Sequence, residues 1–381
     1  MERDELASWL RLVLTPGVGN ETARKLLATF GPPQLLFEQS LPSLRQCVAG
    51  HQAAALKAVP DGWPERVEKT WRWLQQPDSR NAERAIVTLG DPAYPAQLFE
   101  IEDPPLMLYL TGTRAVAPRW EELRALAIVG SRNPTPQGSS NARAFADFFA
   151  GCGVTVVSGM ALGIDGAAHE GALEKASAGG LPLATIAVVG TGLDRVYPKR
   201  HLTLAHRIAS HGLIVSEYPL GTPALAANFP KRNRLIAGLS QGVLVVEAAL
   251  QSGSLITARI AAEQGKEVFA IPGSIHSPQS RGCHALIRQG AKLVETAQDV
   301  LEELRIPVVG TAQGDKTRTD DTKGDEDPFL AQMGWDPVGL EALQARTGID
   351  TAALQVKLLE FELSGNVVRM PGARFQRIAT G

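Results

Sequence analysis

A chain of 381 residues has room for two or three domains, and its 44% hydrophobic and 20% charged residues are ordinary for a globular protein. Its 38 Lys and Arg stand against 40 Asp and Glu, a net charge of −2, which excludes a globally polybasic nucleic-acid binder; any phosphate site has to be a local cluster. The three cysteines, Cys47, Cys152 and Cys283, are far apart and form no CxxC, which excludes a disulfide framework and a zinc ribbon and fits a reducing cytoplasm.

The chain opens with MERDELASWL, which has no signal-peptide apolar core, and no apolar run reaches 18 residues, so no membrane insertion is expected. Residues 1–88 read as a helical unit. LASWLRLVL is followed by TPGVG and by ETARKLLATFG, which stops at Gly31 and Pro32. Helix, glycine hairpin, helix is a pattern whose backbone N–H groups can meet a phosphate; only Arg11, Arg24 and Lys25 flank it, and a compact structural turn is the alternative.

Over residues 89–308 short β-rich runs alternate with helical segments: LMLYL, LAIVG, TVVSG, TIAVVG, LIVSEY, VLVVEA, EVFAIPG and KLVET. That alternation predicts βαβ crossovers and a mostly parallel sheet. The strands are apolar throughout, as in a sheet covered on both faces. Residues 309–328 carry no apolar run; 311–327 alone hold six acids and three bases, a solvated linker. Residues 329–381 form a small unit of two helices, LEALQARTG and TAALQVKLLEFELSG, and a hairpin, NVVRMPGARFQRI, turning at PGA. That is a winged-helix pattern. Its second helix holds one lysine and two glutamates, poor material for reading duplex DNA, and favours a protein-contact or structural role.

In an open parallel sheet, ligands sit outside the carboxyl ends of the strands. Here those ends run into glycine-rich loops, which can bring backbone N–H groups and helix N-termini to a phosphate. Gly159, Gly163, Gly190, Gly192, Gly253 and Ser254 are the candidate phosphate-loop residues; tight turns alone are the alternative reading of each. The cations are more specific. Arg132 follows a buried strand in a Gly130-Ser131-Arg132 turn, and Lys231, Arg232 and Arg234 lie beside Phe229 in FPKRNR. Three cations at a helix N-terminus oppose its dipole and need a reason. Cations interleaved with aromatic rings suit single-stranded nucleic acid, the cations following phosphates and the rings stacking on bases. Lys199, Arg200 and His201 after Tyr197 form a weaker group of the same kind.

Catalytic constellations are poor. Asp165 and His169 lie four apart with no nucleophile tied to them, and read as a helix-start residue and a packed partner. Asp194 and Glu217 follow strands and are expected to organise loops and orient arginines. The seven histidines form no HExxH or HxH, so no metal site is expected. No GxGxxG or GxxxxGK[ST] fingerprint occurs, so neither a dinucleotide site nor a P-loop is expected.

AIVGSRNPTPQG, VSGMALGIDGAAHEGAL, VVGTGLDRVYPKRH, SEYPLGTPALAANFPKRNRLIAGLS, VVEAALQSGSLITARIAAEQGKEVFAIPG and LIRQGAKLV occur in order. Together they resemble the bacterial DNA-processing protein A family, also called Smf. The resemblance implies an α/β fold: an extended Rossmann-like core, an N-terminal SAM-like helical domain and a C-terminal winged helix. It also implies a cytoplasmic homodimer that binds single-stranded DNA and loads RecA recombinase onto it during natural transformation. No enzymatic activity and no cofactor are implied. The implied DNA contacts fall on Gly130, Ser131, Arg132, Phe229, Lys231, Arg232, Asn233 and Arg234. One departure is visible: where the family has Gly-x-Asn before LIxxGA, this chain reads Gly282-Cys283-His284. The competing function is a Rossmann-fold hydrolase of a nucleotide-derived small molecule. It would use Glu247 with Gly253 and Ser254 in a closed, acid-lined pocket, although the usual PGGxGTxxE segment is absent.

Overall fold

The structure, a computed structural model, describes residues 1–76, 82–113, 119–176, 183–307 and 327–378. Six helices come first: α1 (Arg3–Leu14), α2 (Asn20–Phe30), α3 (Pro33–Glu38), α4 (Leu41–Arg45), α5 (Gly50–Lys57) and α6 (Trp63–Gln75). The chain then forms β1 (Glu83–Thr88), β2 (Met107–Gly112), β3 (Ala125–Val129), α7 (Pro136–Gly151), β4 (Thr155–Ser158), α8 (Ile164–Ala176) and β5 (Thr185–Val188). It continues with α9 (Leu202–His211), β6 (Leu213–Ser216), α10 (Asn228–Gly238), β7 (Gly242–Val245), α11 (Ser254–Glu263) and β8 (Glu267–Ala270). The core closes with α12 (Arg281–Arg288), β9 (Lys292–Leu293) and α13 (Ala297–Glu303).

One nine-stranded sheet runs β1-β2-β6-β5-β4-β3-β7-β8-β9. The β1–β2 and β2–β6 pairs are antiparallel and the rest parallel. The chain winds outward from β3 through β4 and β5 to β6, then crosses back to β7 on the other side of β3. This reversal is the topological switch point at which doubly wound sheets bind ligands. Strand pleating explains the apolar runs. Ala125, Ala127 and Val129 of β3 enter one core with Leu235, Ile236 and Val245, while Leu126 and Ile128 enter the opposite core with Phe149, Ile164 and Phe269. Each buried Ile, Leu or Phe contributes about 1.5–3 kcal/mol.

β1 was absent from the sequence reading, which left residues 83–88 in the helical unit. Its burial begins only at Ile86, after exposed Glu83 and half-buried Arg84 and Ala85, because it is the sheet's edge. The helical unit has no core of its own apart from this edge: Leu6, Leu10, Leu26 and Trp73 share a cluster with Ile86, Met107 and Tyr109. The glycine hairpin lies between α1 and α2 as read, with Gly17 at φ +75°.

The C-terminal unit contains α14 (Pro328–Met333), β10 (Val338–Gly339), α15 (Leu340–Thr347), α16 (Thr351–Leu363), β11 (Val367–Met370) and β12 (Arg374–Arg377). Its three-stranded sheet runs β10-β12-β11, so the expected hairpin gains a third strand. The acidic linker falls almost entirely on residues 308–326, outside the described residues. Among the described residues no helix is long and apolar enough to cross a membrane.

His169 of α8 is fully buried, its Nδ1 2.7 Å from Thr185 Oγ1. Burial, with the nearby charges of His201 and Arg232, pushes its pKa down to about 3. The unfolded chain therefore takes up a proton near pH 6.5 that the folded chain refuses. The stability of the neutral form is complete above pH 6.5 and is lost as pH falls from there towards 3. Denaturant unfolding at pH 7.0 and 5.5 is expected to show about 1 kcal/mol less stability at the lower pH from this group. His169→Gln removes that part of the difference; an unchanged pH dependence in the variant sinks the assignment.

Candidate nucleic-acid interface

At the switch point a cleft of about 680 Å³ opens between the loops after β3 and β7, roofed by α10. Gly130, Ser131, Arg132 and Asn133 line it from the β3 loop; Ser252, Gly253 and Ser254 line it from the β7 loop. Phe229, Asn233 and Tyr197 line the side towards α10, and Gln279 closes the far end.

The β3 loop is held by Glu247. Its backbone carbonyl accepts from Ser131 N at 2.7 Å, and its carboxylate accepts from Thr135 N at 2.9 Å and Thr135 Oγ1 at 2.6 Å. Thr135 in turn caps α7 by accepting from Gly138 N at 3.0 Å. A Cβ on Gly138 would meet the Glu247 carboxylate at 2.4 Å. Burial raises the Glu247 pKa, against the Thr135 hydrogen bonds that lower it. Glu247 is thus spent on the α7 N-terminus and does not line the cleft. Asp165 is the one acid among the cleft-lining residues, and burial raises its pKa. The acid-lined pocket that a hydrolase would need is not what these residues build.

The FPKRNR cations divide three ways. Lys231 is exposed. Arg232 is 4% exposed and donates through Nη1 to Gly159 O at 2.6 Å and, closely, to Val188 O. Burial lowers its pKa to about 10, with Asp165 opposing. Arg234 pairs with Glu217 at 2.6 Å and reaches Asp103 at 3.3 Å. The expectation that all three face DNA is corrected: Arg232 and Arg234 are internal struts, and Glu217 orients an arginine as read. Asp194 organises loop backbone as read, in the neighbouring loop: it accepts from Gly221 N after β6 at 2.8 Å, and it pairs with Lys69 of α6 at 2.7 Å.

Arg132 and Lys231 are the free cations of the two motifs; neither side chain has an ion pair or hydrogen bond among the described residues. Arg132 lies over Phe229, its Cζ 5.9 Å from the ring centroid, and Phe229 lies 5.5 Å from the half-exposed Tyr197 ring. Cation, ring, ring forms a ladder along the rim. Tyr197 entered the sequence reading only as a neighbour of Lys199 and Arg200. Those two are exposed, while His201 packs inward, its Nδ1 3.1 Å from Met160 O.

Four of the proposed phosphate-loop glycines make room for protein. A Cβ on Gly159 would meet Arg232 at 2.4 Å, on Gly163 the Ser131 carbonyl at 2.4 Å, on Gly190 the Phe229 ring at 3.2 Å, and on Gly192 Asp194 and Pro219 at 2.7 Å. Gly253 has open space before it and leads into α11, with Ser254 Oγ 2.7 Å from Ser252 Oγ. All five loops still reach the cleft: Ala161 and Asp165 after β4, Tyr197 after β5, and Ala224 and Ala226 after β6 join the residues after β3 and β7.

Near the cleft, His284 takes up the family departure: its Nε2 is 3.0 Å from Gly273 O and 3.4 Å from Gly273 N, bracing the loop after β8. At the hairpin, Arg11 donates to Leu56 O at 2.9 Å and lies over Phe37, Arg24 pairs with Asp103 at 2.9 Å, and Lys25 pairs with Glu21. Its flanking cations are all engaged, as in a structural turn. On α16 the outward stripe is apolar, with Val356 58%, Leu359 55% and Leu363 82% exposed, and Lys357 turns inward over Phe329.

The family model of DNA recombination-mediator protein A matches residues 85–305, and that of the DprA winged helix domain matches 313–373. The chain is 40% identical over 312 residues to Protein Smf of Escherichia coli (strain K12), covering 80% of this chain and 79% of that one. Its fold matches DNA processing protein A of Streptococcus pneumoniae with a TM-score of 0.63 at 36% identity, over 80% of this chain and 98% of that one. It also matches DNA processing protein A of Helicobacter pylori, a protein with a single-stranded DNA binding mode, with a TM-score of 0.51 at 31% identity, over 58% of this chain and 95% of that one.

Replacing Arg232 leaves two buried carbonyls without a donor and Asp165 without its neutralising charge. Arg232→Met is expected to cost about 3 kcal/mol in denaturant unfolding. A loss under 1 kcal/mol would return Arg232 to the set of free cations.

Proposed function

The chain belongs to the DNA recombination-mediator protein A family, and on that premise we propose that it binds single-stranded DNA across the β3–β7 cleft. The observation that carries this reading is the rim ladder of exposed Arg132, half-buried Phe229 and exposed Tyr197, with free Lys231 two residues along α10 from the ring. The cations meet phosphates, and the rings offer π-faces to bases that a duplex keeps stacked. Ser131, Asn233, Gly253 and Ser254 supply polar groups between them. Gly130 makes room for protein, since a Cβ there would meet Ile164 at 2.7 Å and the Glu247 carbonyl at 2.9 Å. Arg232 and Arg234 shape the surface from beneath.

The test is fluorescence anisotropy of labelled oligo-dT across a salt series, with duplex as competitor. Arg132→Ala and Lys231→Ala are each expected to weaken binding and flatten the log–log salt slope by about 0.7, one single-strand phosphate contact. Phe229→Ala is expected to lose about 1–3 kcal/mol with the slope unchanged. Binding equal to wild type in all three variants removes the site from the cleft.

The protein acts as a homodimer that loads RecA onto the bound strand in natural transformation, without catalysis of its own. This part rests on family membership, and stimulation of RecA nucleation on oligo-dT checks it. A face for self-association is at hand. Leu250, Ile275 and Leu293 are 57%, 74% and 51% exposed around a groove of about 580 Å³ at the β9 edge of the sheet. An apolar patch of this kind marks an interaction site, and a two-fold contact joins it to its own copy. Light scattering is expected to give a dimer for wild type and a monomer for Ile275→Glu; a dimeric variant moves the interface elsewhere.

A further inference from the structure

Asp103, in the segment before β2, is shared by two parts of the molecule. Its Oδ1 accepts from Arg24 Nη1 at 2.9 Å, and its Oδ2 accepts from Asn20 Nδ2 at 3.0 Å; both partners lie on α2, directly after the glycine hairpin. The same Oδ2 accepts from Arg234 Nη2 of α10 at 3.3 Å. Arg24 is fastened further by Pro104 O at 3.2 Å. Arg234 is fastened by both oxygens of Glu217, at 3.0 and 2.6 Å, and the Arg234 and Glu217 side chains are 11% and 6% exposed. Two arginines and two acids form a closed, charge-balanced relay. Burial opposes the charge on Asp103, yet Arg24, Arg234, Asn20 and Lys231 together outweigh it and hold the carboxyl below its usual range.

Arg234 lies one helical turn after Lys231 on α10, and Phe229 lies in the first turn of that helix. Whatever fixes Arg234 fixes the register at which the free cation and the ring meet the strand. We infer that Asp103 is a positioning residue for single-strand binding, coupling the N-terminal helical unit, through Arg24 and Asn20, to the helix that presents Phe229 and Lys231. The inference rests on the cleft reading above and gives the helical unit a part in it without a DNA contact of its own.

Its sign is opposite to plain electrostatics. Removing an acid near a phosphate site, with every cation kept, should tighten binding if charge alone matters. Positioning predicts the reverse. The experiment measures oligo-dT affinity for wild type, Arg132→Ala, Asp103→Asn, Arg24→Met and the Asp103→Asn/Arg24→Met double variant, each with a melting curve. Asp103→Asn is expected to bind about three- to tenfold more weakly, with the wild-type salt slope, at a temperature where it is fully folded. The double variant is expected to bind about as weakly as Asp103→Asn alone, because both changes cut the same relay. Binding by Asp103→Asn equal to or tighter than wild type overturns the inference, as do fully additive losses in the double variant. If Asp103→Asn unfolds, Asn20→Ala removes one hydrogen bond and no charge; a twofold or greater loss supports the relay and an unchanged affinity overturns it. A wild type that does not bind, or an Arg132→Ala variant that binds equally well, fails the cleft reading itself and takes the inference with it.

Discussion

Arg232 reaches from beneath α10 to the carbonyls of Gly159 and Val188, at the carboxyl ends of β4 and β5, with Asp165 close enough to compensate its charge. The cost of burying this guanidinium is offset by the two carbonyls that Nη1 meets and by nearby Asp165, while Nε has no hydrogen-bond partner among the described residues. Arg232 thereby fixes where α10 sits over the sheet. Gly159 has to be glycine because the guanidinium occupies the place of its side chain. The Phe229 ring then closes over Gly190, and Lys231 is left pointing outward. The exposed part of the site is a consequence of the buried part.

The β3 side obeys the same logic with an acid. Glu247 holds the Ser131 amide with its backbone and the α7 cap with its side chain, so the loop that carries Arg132 is set by a residue on β7's far end. Strand order makes this possible: β3 and β7 are neighbours because the chain reverses between them. A carboxylate in this place looks catalytic in a sequence. In the fold it is structural, because its oxygens already accept from Thr135 and lie against Gly138.

Much of the architecture was legible. Alternating apolar strands and helices gave the parallel sheet, and the glycine-rich strand ends gave the ligand edge. The aromatic–cation groupings placed Arg132 and Phe229 at that edge. What was misjudged has physical causes. In the sequence Lys231, Arg232 and Arg234 read as one cluster, although Arg232, Leu235 and Ile236 fall on one stripe of α10, at the spacing of a buried face. β1 escaped because an edge strand buries only part of its length. The glycines could not be sorted from sequence, since crowding by Arg232 or by the Ser131 carbonyl depends on tertiary neighbours. Asp103 carried no signal at all; its partners come from positions 20, 24 and 234.

The near-neutral charge now has an explanation. Of the cations nominated in the GSR and FPKRNR motifs, two are free and two are consumed in holding helices. In the proposed single-strand complex, two phosphate contacts give a shallow salt dependence, roughly 0.7 per contact, and far less affinity than a polybasic groove. The remaining affinity has to come from stacking on Phe229 and Tyr197, at about 1–3 kcal/mol per base. Stacking needs unpaired bases, whereas cations serve single strands and duplexes alike. On the proposed reading, a site poor in free charge and furnished with rings favours single strands by its composition, and the acids that neutralise Arg234 sharpen that preference by withholding a contact that duplex DNA would also have used.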